Sequence, residues 1–437
     1  MSGPTRESRK KRKKKRKSNN GNDQTYRKMD ATLKKRFENK HVLLGVTGSI
    51  AAYKACDVLR RLQQQGADVR VIMTQAAQQF VAPLTFETLS GYEVVTQLFP
   101  PNRIVKTRHI SLAEWADCIL ICPATANIIG KIASGIADDF LTTAVMASRS
   151  PVVFAPAMDY QMIQNPIYLA NCEALRKRGY RFIPSGEGDL ASGAKGLGRL
   201  AETHRIVSGV KMALFGSERL KGVKVLVTAG PTREFLDPVR YITNPSSGKM
   251  GFVLAEEAAM RGAEVTLVSG PTNLESVNSV NLKWVETAHE MSEVVSREWE
   301  GTDVLIMAAA VADYSPAETS AQKIKKGASQ WSLPLVRTED ILTLISKKKR
   351  GGILVGFALE TEDGEARARQ KLKDKGLDLI CLNNPLEEGE GFGQDTNRLV
   401  LIPRDGDAET LPLMPKWEAA ERILDRVEML LKRVKKT

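Results

Sequence analysis

Glycine and hydroxyl residues cluster where apolar segments of the sequence end, and such clusters bind anions in many proteins. In GVTGSIAAYK, Gly48 and Ser49 follow the apolar run that begins at His41. Where a strand turns into a helix, free backbone N–H groups and the helix dipole favour a negative group such as a phosphate. The segment lacks the GxGxxG fingerprint, so it predicts either a phosphate site or a simple strand–helix connection. A second turn, PATANIIGKIASGIADD (Pro123–Asp139), brings small and amide-bearing residues to the same predicted sheet edge.

The densest group of such residues is AGPTREFLDPVRYITNPSSGKMG, Ala229–Gly251. Gly230 follows a predicted strand and the Ser-Ser-Gly run precedes a predicted helix, an arrangement that suits a phosphate cradle. The Walker pattern GxxxxGK[ST] is absent, and Ser-Ser-Gly is also a good helix N-cap. The later segment KIKKG (Lys323–Gly327) suits a polyphosphate, but it is equally typical of a solvated loop.

These residues need a scaffold that brings strand ends together, and the sequence alternates apolar runs with helical stretches as α/β folds do. His41–Ser49 predicts a strand and turn, Ile50–Gly66 an amphipathic helix closed by glycine, and Ala67–Thr74 the next strand. After a Gly, Ser and charged stretch near 215–223, the same order restarts, with a helix over 247–262. The repeat predicts an α/β protein with two tandem doubly wound parallel sheets, one flavodoxin-like and one Rossmann-type.

Composition excludes several protein classes. The chain has 437 residues, 42% hydrophobic and 26% charged, which is typical of a globular protein and argues against disorder throughout or a fibrous rod. No apolar run approaches the ~18 residues of a membrane helix, and the longest, such as Val304–Ala312, suit buried strands. Neither a secretory signal nor a disulfide framework is indicated by the N-terminus and the five cysteines, so we expect a cytoplasmic protein. None of the four histidines has a metal-ligand spacing, which argues against a zinc enzyme.

Almost all of the excess positive charge lies at the N-terminus. Residues 1–40 hold 16 Lys or Arg and 4 Asp or Glu, so +12 of the net charge of +13 lies there. Arg9–Lys17 is an unbroken basic run, which predicts a disordered tail because like charges repel. Such a tail can contact nucleic acid through phosphates, but it carries no base-reading content, so a solvated extension is the favoured interpretation.

From His41 to about Leu200 the sequence resembles the homo-oligomeric flavin-containing cysteine decarboxylases. The matching segments are GVTGSIAAYK, RHISLAEWADCILICPATANIIGKIASGIADD and PAMDYQM. The resemblance implies FMN held between subunits and an oligomer built from trimers, a dodecamer being one such assembly. It implies an active-site base at His109, although a lone histidine, taken without the family, is more often structural. It also implies flavin-binding residues at Gly48, Ser49, Thr74, Pro123, Ala124, Thr125 and Asn127.

The chain departs from the phosphopantothenoylcysteine decarboxylases, which it resembles, at two positions. Their PxMN motif carries an asparagine that engages the substrate carboxylate, whereas Asp159 stands here, and an ionised aspartate only accepts hydrogen bonds. Their glycine-rich flap carries a proton-donating cysteine, whereas DLASGAKGLGRL has Ser192, whose hydroxyl is far less acidic than a thiol. We therefore expect flavin binding to persist and the decarboxylase step to be weak.

From about Val223 to Leu413 the sequence resembles the bacterial phosphopantothenate–cysteine ligases, and the tandem order matches the bifunctional proteins of coenzyme A biosynthesis. The matching segments are TAGPTREFLDPVRYITNPSSGKMGF, AAAVADYSP, QKIKKG, VGFALET, ARQKLKDKGLDLI and LNNPLEEGEGFGQDTNRLVLI. The resemblance implies that CTP and magnesium activate the carboxylate of 4′-phosphopantothenate as an acyl-cytidylate, which the amine of cysteine attacks. It implies that Lys323 takes part in forming the acyl-cytidylate and that Asn244 takes part in the step that consumes it. The resemblance does not identify the residues that bind magnesium. It places the nucleotide site at Gly230, Ser246, Ser247, Gly248, Asp313, Lys323, Phe357, Lys371 and Lys375.

The leading interpretation is a bifunctional enzyme that joins 4′-phosphopantothenate to cysteine with CTP and then decarboxylates the product to 4′-phosphopantetheine with FMN. Its predicted parts are a disordered basic tail (1–40), a flavin domain (41–215) and a ligase domain (220–437). Two alternatives remain at this point: a monofunctional ligase with a degenerate flavin domain, and a flavoprotein regulatory or binding subunit. We expect a homo-oligomer, no membrane contact, and no required nucleic-acid partner.

Overall fold

The computed structural model of the chain describes residues 34–99, 108–191, 193, 195–275, 279–325, 331–348, 351–360, 363–383 and 393–434. Within these ranges the chain forms two α/β units in tandem, each built on a largely parallel sheet with helices on its faces. The predicted pair of doubly wound sheets is confirmed. Residues 1–33, most of the predicted basic tail, lie outside the described residues.

The first sheet has five parallel strands in the order β2-β1-β3-β4-β5. The strands are short apolar runs covered by helices on both faces; all seven residues of β3, for example, are buried. This is the flavodoxin-like order, in which ligands bind where the chain reverses direction across the sheet, between β1 and β3. The strands are β1 His41–Val46, β2 Asp68–Met73, β3 Cys118–Ala124, β4 Val152–Pro156 and β5 Arg181–Phe182.

The helices of this unit pack on the sheet. The helix predicted over Ile50–Gly66 begins as a 3-10 turn at Ile50–Lys54 and continues as a regular α-helix over Ala55–Gln64. After the sheet comes an antiparallel hairpin of β6 Gly186–Asp189 and β7 Lys195–Arg199. The helices are α1 Ala55–Gln64, α2 Pro83–Ser90, α3 Arg108–Trp115, α4 Ala126–Ala133, α5 Phe140–Ala147, α6 Tyr160–Ile163, α7 Pro166–Lys177 and α8 Thr203–Phe215, with a short 3-10 turn at Ala77–Gln79.

The second sheet has eight strands in the order β12-β11-β8-β13-β16-β17-β19-β20. Its first six positions are parallel and repeat the Rossmann order, while β19 and β20 add an antiparallel edge. The reversal of strand order falls between β8 and β13, so a ligand crevice is expected there. The strands of this sheet are β8 Lys224–Ala229, β11 Glu264–Ser269, β12 Val280–Trp284, β13 Val304–Met307, β16 Ile353–Leu359, β17 Leu379–Asn383, β19 Val400–Pro403 and β20 Glu409–Thr410.

Helices and three small antiparallel ribbons complete the second unit. The ribbons pair β9 Arg233–Phe235 with β10 Tyr241–Thr243, β14 Tyr314–Pro316 with β15 Leu335–Arg337, and β18 Thr396–Asn397 with β21 Met414–Pro415. The helices are α9 Lys249–Met260, α10 Ala288–Glu298, α11 Ile341–Lys347, α12 Gly364–Asp374 and α13 Lys416–Val434.

The strand predicted over Val304–Ala312 ends at Met307, five residues early. The backbone N–H groups of Ala309 and Ala312 donate to the hydroxyls of Thr228 and Thr232 at 3.1 and 3.0 Å instead of to a neighbouring strand. Side-chain hydroxyls therefore replace the ladder, and residues 308–312 become a loop at the β8–β13 crevice.

The last residues assigned to the tail are folded. Phe37 has no exposed surface and belongs to the core of the first unit. Next to it, Arg36 donates to Glu257 at 3.0 Å and to Glu421 at 2.8 Å, both in the second unit. The boundary between tail and folded chain therefore lies ahead of residue 40, and the segment 34–40 joins the two units.

Among the residues that the structure describes, no helix combines the length and the apolar character needed to cross a bilayer.

Candidate functional site

A cavity of about 960 Å³ opens at the β1–β3 reversal of the first sheet. This volume lies within the range of small-molecule and cofactor sites. Five of the predicted flavin-binding residues line it: Gly48, Ser49, Thr74, Thr125 and Asn127. The other two, Pro123 and Ala124, are buried behind its wall and hold the turn without lining the cavity.

The turns after β1 and β3 are fixed to each other. The hydroxyl of Thr47 donates to the carbonyl oxygen of Pro123 at 2.7 Å and accepts from the N–H of Thr125 at 3.2 Å. The Ser49 and Thr125 side chains then cap the helical segments that follow them. Two helix starts therefore face one cavity, and their N–H groups provide the positive ends that an anionic group needs.

Gly48 is required by the close approach of two turns. A Cβ at this position would lie 2.5 Å from the Cβ of Ala76, in the turn after β2. Any side chain here would push the β1 and β2 turns apart and open the floor of the cavity.

The cavity also carries charged residues that the sequence analysis did not single out. Lys131 donates to both carboxylate oxygens of Asp138, at 2.8 and 2.9 Å. This hydrogen bond raises the pKa of Lys131 and lowers the pKa of Asp138, so the pair is charged at neutral pH. Both residues lie inside the segment Pro123–Asp139, but their pairing depends on a turn that the spacing of the two residues in the sequence does not reveal.

Asp159 lines the same cavity and begins α6. Its Oδ1 accepts a hydrogen bond from the N–H of Gln161 at 3.0 Å, a helix-capping role that aspartate and asparagine fill equally well. The β6–β7 hairpin crosses above it and contributes Asp189, Leu190 and Ala191 to the wall. Ser192, the predicted replacement for the flap cysteine, lies outside the described residues.

His109 does not belong to the cavity of its own chain. It lies on α3, with its ring 6.3 Å from the ring of Phe140 in an edge-on contact, and it is absent from the described residues that line the cavity. The structure therefore does not bring together the predicted base and the predicted flavin-binding residues within one chain.

The second candidate site lies at the β8–β13 crevice, where three loops converge. A Cβ on Gly248 would lie 3.2 Å from the Cα of Gly230 and 2.7 Å from the methyl of Thr272. Both glycines have positive φ, 73° and 75°, which a side chain would strain. The backbone of the predicted cradle is therefore closely packed at the start of α9, with Ser246 accepting from the N–H of Gly248 at 3.3 Å and Ser247 beside it.

Asn244 is anchored on the opposite lip of this crevice. Its Nδ2 donates to the carbonyl oxygens of Ala310 and Val311, at 3.2 and 3.3 Å. An amide nitrogen has two hydrogens, so both are used, and the side-chain oxygen is left as a hydrogen-bond acceptor. The loop of 308–312, which ends β13 early, supplies these carbonyls.

Two predicted lysines meet at the end of β16. Lys371 donates from α12 to the carbonyl oxygen of Phe357 at 3.1 Å, and Lys375 pairs with Asp340 at 3.0 Å. Burial, and then the neighbouring ammonium of Lys375, lower the pKa of Lys371, while nearby carboxylates including Asp313 act in the opposite direction. Four predicted nucleotide-site residues, Asp313, Phe357, Lys371 and Lys375, are thus brought together.

Lys323 lies in an exposed loop whose base is fixed. The N–H of Ile324 donates to Asp237 at 3.1 Å, and its carbonyl oxygen accepts from Arg240 at 2.7 Å. Burial acts to raise the pKa of Asp237, but hydrogen bonds from three backbone N–H groups lower it below its ordinary value. The carboxylate therefore stays ionised and holds the loop. The remainder of KIKKG after Lys325 lies outside the described residues.

The groups present fit a flavin in the first cavity. This cavity combines two helix starts, a glycine (Gly48) at which any Cβ would collide with Ala76, and a volume suited to a cofactor. In the described residues no group of three or more His, Cys, Asp or Glu could hold a metal ion.

Comparison with known proteins places both halves in described families. Residues 30–215 match the family model "Flavoprotein", and residues 220–431 match "DNA/pantothenate metabolism flavoprotein C-terminal domain". The coenzyme A biosynthesis bifunctional protein CoaBC of Bacillus subtilis is 46% identical over 397 residues, covering 90% of this chain and 98% of that protein. The protein of the same name from Escherichia coli is 42% identical over 392 residues, covering 89% and 96%.

Solved structures resemble each half separately. The C-terminal domain of a CoaBC protein is 41% identical and covers 50% of this chain and 100% of that structure, with a TM-score of 0.43. A mutant PPC decarboxylase complexed with pantothenoylaminoethenethiol is 33% identical and covers 40% and 97%, with a TM-score of 0.36.

Proposed function

The chain belongs to the family of bifunctional coenzyme A biosynthesis proteins, and from that premise we propose how its two sites share the work. The protein is an enzyme with a flavoprotein decarboxylase half and a ligase half. The proposal rests above all on one observation: each sheet carries a cradle of helix starts and glycines at its own reversal of strand order. The second site joins 4′-phosphopantothenate to cysteine with CTP, and the first decarboxylates the product with FMN.

In the ligase half, the crevice binds the triphosphate of CTP at Gly230 and at the Ser246–Gly248 turn. The substrate carboxylate attacks the α-phosphorus, and pyrophosphate leaves as an acyl-cytidylate forms. Negative charge grows on the departing pyrophosphate, which the ammonium groups of Lys371, Lys375 and Lys323 stabilise. Magnesium bound with the nucleotide would supply further positive charge for the same phosphates.

Asn244 serves the second step, in which the amine of cysteine attacks the acyl carbon and CMP leaves. Because both hydrogens of its Nδ2 are held by Ala310 and Val311, its oxygen faces reactants only as an acceptor. An acceptor suits the N–H of an attacking amine, whereas it repels a phosphate. The residue therefore orients cysteine and contributes little to formation of the acyl-cytidylate.

The experiment is to follow both steps in Lys323→Gln and Asn244→Ala, with Lys325→Gln as matched control. Lys325 is exposed on the same loop, so its replacement removes the same charge. We expect Lys323→Gln to suppress acyl-cytidylate formation, Asn244→Ala to accumulate the acyl-cytidylate in the presence of cysteine, and Lys325→Gln to behave as the parent. Parent-like product formation by both Lys323→Gln and Asn244→Ala would refute the assignment.

In the decarboxylase half, the Gly48–Ser49 turn, Thr74 and the segment Thr125–Asn127 would hold FMN. When bound, it supplies the two-electron redox chemistry of the reaction. The β6–β7 hairpin, which supplies part of the cavity wall, orients the substrate.

The decarboxylase site is completed between copies of the chain. His109 lies away from the cavity of its own chain, yet the family resemblance gives it the role of the base. Apolar side chains surround the mouth of the cavity in exposed positions: Ile50 and Tyr53 are both 58% exposed and Met162 46%. Exposed apolar groups beside a cavity mark an interface, which supports the expected oligomer built from trimers.

A second candidate function, ligation alone, is favoured by Asp159, because a carboxylate there opposes the binding of a substrate carboxylate. Release of CO₂ from the cysteine-derived carboxylate distinguishes the two.

A further inference from the structure

The cavity of the flavoprotein half contains a cation that has no ion-pair partner among the residues that the structure describes. Four carboxylates line the cavity: Asp138, Asp139, Asp159 and Asp189. Lys131 already pairs with the first two, at 2.8 and 3.7 Å, and Asp189 pairs with Lys195, at 3.5 Å. Arg199 also lines the cavity, and its guanidinium forms no hydrogen bond or ion pair with any residue in the described part of the chain.

The backbone holds Arg199 beside Asp159. The N–H of Met158 donates to the carbonyl oxygen of Gly198 at 3.1 Å, so Asp159 and Arg199 each follow a member of one hydrogen-bonded pair. The two backbone segments approach so closely that a Cβ on Gly198 would lie 2.3 Å from the carbonyl oxygen of Met158. Strand β7 therefore cannot slide away from the start of α6.

Gly188 makes room for the guanidinium. A Cβ at residue 188 would lie 2.8 Å from Nη1 and 3.0 Å from Cδ of Arg199. The Arg199 side chain thus crosses the opposite strand of the hairpin at a residue that has no side chain, and remains exposed to the cavity. Besides Lys131, which is paired, the wall carries Lys54, which belongs to the turn after β1, on the side of the predicted phosphate site.

We propose that Arg199 binds the carboxylate of the decarboxylase substrate and so sets the specificity of this site for a carboxylated ligand. The inference rests on the proposed decarboxylase function. A guanidinium donates two parallel hydrogen bonds to a carboxylate, which an acceptor such as Asp159 cannot do. Arg199 also adds positive charge to the wall that carries Asp159.

The chemistry of decarboxylation determines which kinetic constant Arg199 governs. The carboxylate loses its charge as the bond to the α-carbon breaks and CO₂ leaves, with the electron pair remaining on the substrate. A cation that binds the carboxylate therefore stabilises the ground state at least as much as the transition state. Arg199 acts as a specificity residue, and its loss raises KM while kcat changes little.

The test measures binding with the FMN-loaded protein and two unreactive ligands. One is 4′-phosphopantothenoylserine, in which a hydroxyl replaces the reacting thiol, and the other is its counterpart without the carboxylate. The readout is the change in flavin absorbance on titration, which senses the flavoprotein cavity and not the ligase site. The variants are Arg199→Met, Arg199→Lys and, as a control with the same loss of charge in the same unit, Lys177→Met, whose residue is exposed on α7 and lies outside the cavity lining.

We expect Arg199→Met to weaken binding of the carboxylated ligand by about 10- to 100-fold, the range of a charge-assisted hydrogen bond, and to leave the other ligand nearly unaffected. Arg199→Lys should recover part of the loss, and Lys177→Met should bind both ligands as the parent does. Flavin content should stay constant throughout. Equal losses for the two ligands, or no loss for either, would overturn the role of Arg199. If neither ligand perturbs the flavin of the parent, the proposed decarboxylase function itself is wrong and the assignment of Arg199 fails with it.

Discussion

Replacing Arg36 with methionine should loosen the attachment of the two units to each other. The guanidinium lies between the rings of Phe215, at 4.7 Å, and Trp417, at 4.5 Å, and pairs with Glu257 and Glu421. Phe215 ends the first unit, and the other three residues belong to the second. Only 8% of the Arg36 side chain and 4% of the Glu257 side chain are exposed, so water cannot replace the lost contacts.

The expected cost follows from these contacts. Removing one member of a buried ion pair costs about 3–5 kcal/mol, because the other charge stays buried without a partner. Burial raises the pKa of Glu257 to about 8 even beside Arg36, so near pH 7 this carboxyl is largely protonated, and the loss of Arg36 removes its hydrogen bonds and ring contacts at a cost near the lower bound, about 3 kcal/mol. For a domain of this size, that corresponds to a fall in melting temperature of about 10 °C.

Differential scanning calorimetry of the full chain measures this effect. Lys35→Met is the matched control, because it removes the same charge from an exposed neighbouring position. Arg36→Lys should fall between the parent and Arg36→Met, since it keeps the charge but loses the planar group that stacks on the rings. Above pH 8, where Glu257 is ionised, the double variant Arg36→Met with Glu257→Gln should be more stable than Arg36→Met alone, because no buried charge remains. Melting of Arg36→Met within about 1 °C of the parent, or an equal fall in Lys35→Met, would refute the reasoning.

Three further predictions follow from the same structure. The pKa of Glu257 is about 8 in the folded chain and 4.5 in a free side chain, so the folded state binds this proton more tightly. The melting temperature should therefore fall as pH rises from about 5 to about 8. Glu257→Gln should flatten that dependence, and an unchanged slope in the variant would contradict the prediction. Purified protein should be yellow and release FMN on denaturation, whereas Gly48→Val should lose the flavin, because its side chain collides with Ala76; a variant that keeps parental flavin content would argue against this floor of the cavity. Ser192→Cys should raise conversion of the decarboxylated enethiol to 4′-phosphopantetheine, measured by mass spectrometry, since a thiol is the better proton donor; equal product ratios in parent and variant would show that another group supplies the proton.

The sequence predicted the sheets because their strands are local apolar runs, and the order of strands and helices then limits the topology. It predicted the crevice residues at Gly230 and Gly248 for the same reason, since strand ends and helix starts are local features. It did not predict the early end of β13, because the hydroxyls of Thr228 and Thr232 that replace the ladder lie about 80 residues away in the chain. Long-range pairing of this kind leaves no periodic signal.

Charge patterns were the least informative part of the sequence. Arg36 belongs to a basic segment by composition, yet it is buried between two rings and two carboxylates from elements more than 170 residues away. Arg199 sits in a glycine-rich segment that suggested only a flap. In both cases the role of the side chain depends on what the fold places around it, which a local sequence window does not contain.

The central claim, that one chain performs ligation and decarboxylation in sequence, is tested most directly by counting products. The purified protein is incubated with 4′-phosphopantothenate, CTP, magnesium and cysteine labelled in its carboxyl carbon, and released pyrophosphate and labelled CO₂ are measured together. If the chain carries out both steps, labelled CO₂ appears only when CTP and 4′-phosphopantothenate are both present, and its amount approaches one molecule per pyrophosphate released. Pyrophosphate release with no labelled CO₂ would show a ligase with an inactive flavoprotein half, and the absence of both products would contradict the account as a whole.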